Sequence, residues 1–63
     1  MENQKYIPTG EVRTFGIMGV PYLVGQPEKE LPNGDILVQI ELLERGEREY
    51  YPLSNLLNDP KAN

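Results

Sequence analysis

The chain contains no cysteine, no histidine and no tryptophan, and only one phenylalanine. Without cysteine there is neither a disulfide staple nor a thiolate metal site. Without histidine the usual general base and the commonest metal ligand are both missing. Most hydrolytic and redox chemistry is thereby excluded, and an independent enzyme is the least expected class of function. Basic residues are sparse as well: six Lys and Arg face ten Asp and Glu, a formal charge of −4. No two basic residues are adjacent and half of them have acids beside them, the pattern of a solvated surface and not of a footprint for phosphate. Nucleic acid is therefore not the expected ligand. Long apolar runs are missing too. Ile36-Leu37-Val38 stops at Gln39, far from the roughly 20 residues of a membrane span. Residues 1–5 lack the basic and apolar regions of a signal peptide, so a cytoplasmic location is the default expectation, and the lack of cysteine fits a reducing compartment.

What remains is a chain of 63 residues, enough for one small domain. Ordering each residue costs roughly 1.5 kcal/mol, which apolar burial at about 25 cal/mol per Å² barely exceeds. A second chain covering apolar surface would add stability. Six glycines and six prolines cut the sequence into short pieces, and no helical periodicity runs beyond about eight residues.

Residues 1–10 are polar, end in Pro8-Thr9-Gly10 and read as a flexible N-terminal arm. Residues 11–15 alternate and favour a strand. Gly16-Ile17-Met18-Gly19 sets two apolar residues between glycines, a bend, bulge or flexible loop. Residues 21–25 read as a second strand with Pro21 at its start, where a missing N–H is tolerated, and residues 26–30 as a polar connection. Pro32-Asn33-Gly34-Asp35 is the clearest turn. The strongest strand follows over residues 36–43, with Ile36, Val38, Ile40 and Leu42 lining one apolar face. Residues 44–46 reverse the chain and residues 47–51 return.

A three-residue loop with Gly46 left-handed is the preferred reversal, which sets Ile40 opposite Tyr50 and Leu42 opposite Arg48. A two-residue loop would set Tyr51 opposite Ile40 and Leu53 opposite Val38, and the sequence leaves the choice open. Ser54 is placed to cap a single terminal turn that Pro60 stops. Leu53, Leu56 and Leu57 on that turn seal the core, and residues 61–63 form a frayed tail. The fold class is mainly all-β: a small antiparallel SH3-like barrel or a curved meander sheet over residues 11–60, with one short C-terminal 3₁₀ or α turn.

Two segments carry a resemblance: Phe15-Gly16-x-x-Gly19-x-Pro21-Tyr22-x-Val24 and Tyr51-Pro52-Leu53-Ser54-x-Leu56-Leu57-x-Asp59-Pro60. They resemble a family of short, mostly bacterial proteins of unknown function and about this length, over roughly residues 10–60. The shared residues are those of turns and core, so the resemblance implies no activity, cofactor or site. The eukaryotic SH3 pattern, with its Ala-Leu-Tyr-Asp-Tyr strand and core tryptophan, is absent, and the SH3-like reading is one of shape alone.

Gly16-x-x-Gly19 has the glycine spacing of a KH backbone clamp, but its middle residues are apolar where the clamp needs basic ones. The carboxylate pairs Glu28/Glu30, Glu47/Glu49 and Glu41/Glu44 lack the cleft that separates catalytic pKa values, and read as solvated faces. Asp35 lacks the spaced acidic ligands of a calcium loop, and Ser54 has no base to activate it. No spacing supports a cofactor, a metal or a small-molecule substrate. The candidate contact residues are Ile17, Met18 and Tyr22, an apolar loop beside a tyrosine. They point to a non-catalytic interaction module that binds a protein partner or a second copy of itself as a homodimer. The alternatives are a nucleic-acid-binding small barrel, which would need a basic groove with aromatics, and an acidic inhibitor or regulatory subunit of a basic partner such as a toxin.

Overall fold

A computed structural model describes residues 6–62. Four strands, β1 (Val12–Thr14), β2 (Pro21–Glu30), β3 (Ile36–Leu42) and β4 (Glu47–Pro52), precede one short helix, α1 (Leu53–Asn58). The strands form a single antiparallel sheet in sequential order, each joined to the next by a reversal too short for any other connection. Among the described residues no pairing joins the outer strands β1 and β4, and the sheet runs as a meander.

Strand alternation divides the sheet into a covered and an open face. Val38 and Ile40 are buried as their alternation predicts, and Ile36 and Leu42 pack half-buried at the ends of the same row. Tyr22 and Val24 of β2 complete the sheet side of the core, and Leu53 and Leu56 cover it from α1, with Ile7, Phe15 and Tyr51 at the margin.

The structure corrects four local expectations. Residues 26–30 are not a loop but the exposed second half of β2, reached through two register shifts around Pro27. Pro27 marks this stretch as unsuited to a ladder, and the shifts accommodate its missing N–H. Gly25 lies where β2 first slips, and a Cβ there would stand 2.7 Å from the Gln39 carbonyl oxygen.

The β3–β4 reversal takes neither of the anticipated registers. Leu42 faces Glu47, Ile40 faces Glu49 and Val38 faces Tyr51. The four residues between Leu42 and Glu47 are held by bonds from the Arg45 and Gly46 N–H groups to the Leu42 carbonyl, 3.1 and 2.7 Å. Gly46 does take the left-handed conformation.

Ser54 is not the N-cap, a position that falls to Pro52. The cap comes from Asp35 in the β2–β3 turn. Its carboxylate accepts the Ser54 N–H at 3.2 Å and the Ser54 hydroxyl at 2.6 Å, and also the Ile36 N–H at 2.8 Å. A first-turn donor is satisfied here from a distant element, which a local capping rule does not register.

Both chain ends are more closely held than expected. The Gly10 N–H donates to the Val24 carbonyl (2.8 Å), the Thr9 hydroxyl donates to the Gly25 carbonyl (2.7 Å) and Pro8 is buried. The arm expected over residues 1–10 is thus docked from Pro8 onward, while residues 1–5 lie outside the described residues. The expected tail lines the edge of β1: Thr14 N–H bonds Pro60, Ala62 N–H bonds Val12 and Arg13 bridges Lys61. Unpaired β1 backbone groups attract these partners, and Lys61 adds an exposed ion pair to Glu11 at 3.7 Å. Asn63 lies outside the described residues.

Candidate functional site

The loop between β1 and β2, residues 15–20, presents the two most exposed large apolar side chains among the described residues. Ile17 is 88% and Met18 93% exposed. A tight bend explains why neither folds inward. The Phe15 N–H bonds the Val20 carbonyl at 3.2 Å across the base. Gly16 is left-handed, and its carbonyl accepts the Thr14 hydroxyl at 2.6 Å. At Gly19 a Cβ would stand 1.8 Å from the Phe15 carbonyl oxygen, so only glycine closes this bend.

Asp59, one residue beyond α1, ties the loop to the rest of the molecule. Its Oδ1 accepts the Gly16 N–H at 3.1 Å. Its Oδ2 accepts the hydroxyls of Tyr22 (2.7 Å) and Tyr51 (3.0 Å). The Arg13 guanidinium donates to the Asp59 carbonyl (2.9 Å) and the Leu56 carbonyl (3.3 Å), and is itself paired with Glu11 at 3.0 Å. Phe15, Tyr22 and Tyr51 pack as an aromatic triangle, with ring centroids 4.5, 5.2 and 5.6 Å apart. Burial, followed by the hydrogen bond to Asp59 and its negative charge, pushes the Tyr22 hydroxyl far above its ordinary pKa. The same causes raise Tyr51. Both hydroxyls therefore remain protonated donors, and the cluster is a structural tie.

Tyr22 is accordingly not a contact residue. It is fully buried, because its place in β2, opposite Leu42 and Arg13, turns it to the covered face. Val20 and Leu43 are the next exposed apolar side chains toward this end, 43% and 45% exposed. The β1–β2 and β3–β4 loops lie at one end of the sheet, where the Leu43 N–H meets the Pro21 carbonyl at 3.3 Å. Sequence reasoning missed these two residues. The available signal was Leu43 itself, an apolar residue left over where the alternation of β3 ends.

Two open depressions lie elsewhere. One, of about 170 Å³, sits on the outer sheet face among Leu23, Gly25, Gln39, Glu41 and Arg48. The other, of about 300 Å³, lies among Tyr6, Asp35, Leu53, Ser54 and Leu57. In the second the Ser54 hydroxyl meets the Asp35 carboxylate at 2.6 Å, and that carboxylate also accepts the Ile36 and Ser54 N–H groups, so it serves as the helix cap. Among the described residues no three His, Cys, Asp or Glu side chains converge as metal ligands, and no helix is long and apolar enough to cross a membrane.

These features define a small, single-sheet β protein with a C-terminal helical turn and an apolar loop fixed at one end. The chain belongs to the family described as a family of unknown function (DUF5397), whose model matches residues 1–63. An uncharacterised protein of the bacterium Haemophilus influenzae is similar to it, 53% identical over 62 residues that cover 98% of each chain.

Proposed function

We propose that the protein is a non-catalytic interaction module whose contact surface is the Ile17–Met18 loop, flanked by Val20 and Leu43. One observation carries this reading: two large apolar side chains stand almost fully in water on a loop whose base is pinned by hydrogen bonds. A pinned loop loses little entropy on binding, and Met adapts to the shape it meets. Burying one such side chain yields about 1.5–3 kcal/mol. Two of them yield about 3–6 kcal/mol, which reaches only the low end of an association cost of about 4–15 kcal/mol, so the proposed contact draws on Val20 and Leu43 as well. The partner is a protein with an apolar recess, or a second copy of the chain.

Met18→Glu tests the reading, because the side chain supports nothing in the fold. The expected variant melts like the wild type and loses its self-association, measured by sedimentation, or its cross-linked partner. Unchanged mass together with unchanged cross-linking refutes the proposal.

A further inference from the structure

The two edges of the sheet are treated differently. The β1 edge, three residues long, is covered by residues 60–62. The β4 edge is twice that length, runs in unbroken register with β3, and has no strand beyond it among the described residues. An edge strand leaves alternate backbone N–H and C=O groups pointing outward, ready to pair with another chain. Natural edges are commonly blunted by charged side chains, a bulge or proline. β4 carries charges at Glu47, Arg48 and Glu49 and ends in Pro52, but it has no bulge and no covering segment among the described residues. What it has is a charge pattern. Glu47 and Glu49 project on one face, Arg48 and Tyr50 on the other, and all four are exposed. Among the described residues Glu47 has a long, exposed pairing with Arg45 at 3.8 Å.

We propose that the outer edge of β4 pairs with an extended segment of a basic protein partner, carrying Lys or Arg at alternate positions opposite Glu47 and Glu49. Backbone hydrogen bonds would supply the affinity and the two carboxylates the choice of partner.

A second copy fits this edge poorly. Edge-to-edge antiparallel pairing of two copies places a two-fold axis through one residue of β4. Centred on Glu49, it sets that carboxylate against its own copy. Centred on Arg48, it sets Arg48 against Arg48 and Glu47 against Glu49. Directly opposed like charges destabilise a ladder. Centred on Tyr50, it sets Arg48 against Pro52, which has no N–H, and brings α1 against the neighbouring strand. A basic foreign strand meets none of these obstacles. The surface is separate from the Ile17–Met18 loop and does not depend on it.

The test uses the full chain and a blocked peptide, Thr-Lys-Val-Lys-Val-Lys-Thr, with a control N-methylated at two consecutive central residues so that neither edge can pair. Amide shifts and hydrogen exchange are followed by NMR. The expected result is shift changes and new protection confined to β4, with affinity falling about tenfold or more for the N-methylated peptide and for the Glu47→Lys/Glu49→Lys chain. Met18→Glu should bind the peptide as the wild type does, which separates this proposal from the loop reading. Four results overturn it: no β4 shifts at millimolar peptide; equal binding of the N-methylated peptide, which signals mere ion attraction; β4 amides already protected in the free monomer; or a dimer joined through β4.

Discussion

Replacing Asp59 with alanine should loosen both the core and the loop. In the native structure its carboxylate accepts three donors, from Gly16, Tyr22 and Tyr51. A hydrogen bond to a charged group contributes about 1.5–3 kcal/mol, and a buried donor left without a partner costs about 1–3 kcal/mol. Tyr22 is fully buried, so its hydroxyl bears that penalty, whereas the less buried Tyr51 and the exposed Gly16 N–H recover part of theirs from water. The expected loss for Asp59→Ala is therefore on the order of 3–4 kcal/mol. A domain this small sits near the lower end of the 5–15 kcal/mol range of native stabilities, so the variant should melt near or below room temperature in about 2 M urea. Asp59→Asn keeps one oxygen for the tyrosines and turns an NH₂ toward Gly16, which should give roughly half the loss. Urea unfolding followed by far-UV circular dichroism measures both. Combining Asp59→Ala with Tyr22→Phe should cost less than the sum of the single changes, because the orphaned hydroxyl is gone. An Asp59→Ala chain within about 0.5 kcal/mol of the wild type, or additive single changes, would refute the role assigned to this carboxylate.

Three further outcomes follow from the same packing. The tyrosine pKa values are raised on folding, so their contribution is complete below the ordinary value of 10.0 and is lost as pH rises above it. Alkaline titration of stability should show a decline beginning near that pH, which Tyr22→Phe reduces; a flat profile to high pH contradicts the burial of this hydroxyl. Val38→Ala or Ile40→Ala should cost on the order of 1–4 kcal/mol by thermal melting, and variants that melt like the wild type would remove these residues from the core. Asp35→Ala should destabilise by about 1 kcal/mol or more and Ser54→Ala by less, since a serine without its hydroxyl leaves the backbone cap in place. The reverse order would return the capping role to Ser54.

Much of the sheet was legible in the residues themselves. The alternation of Ile36, Val38, Ile40 and Leu42 is a backbone property of period two, so it names the buried face of β3 whatever lies against it. Gly34 and Gly46 mark reversals because their positive φ angles exclude side chains, and two glycines around Ile17 and Met18 describe a bend too tight to bury both. Other features depend on which distant residue arrives nearby. Tyr22 reads as core or as anchor until the register places it opposite Leu42, with its hydroxyl on Asp59. Ser54 looks like a cap until Asp35 takes that task from the other side of the molecule. The polar second half of β2 and the paired ends of the chain carry no apolar signal, since a ladder satisfies backbone groups whatever the side chains are. Local conformational rules therefore determined β3, the apolar half of β2, the turns and the exposed loop, while the rest of β2, the hairpin register, the helix cap, the tie through Asp59 and the open β4 edge were decided by contacts between residues far apart in the chain, which no local pattern encodes.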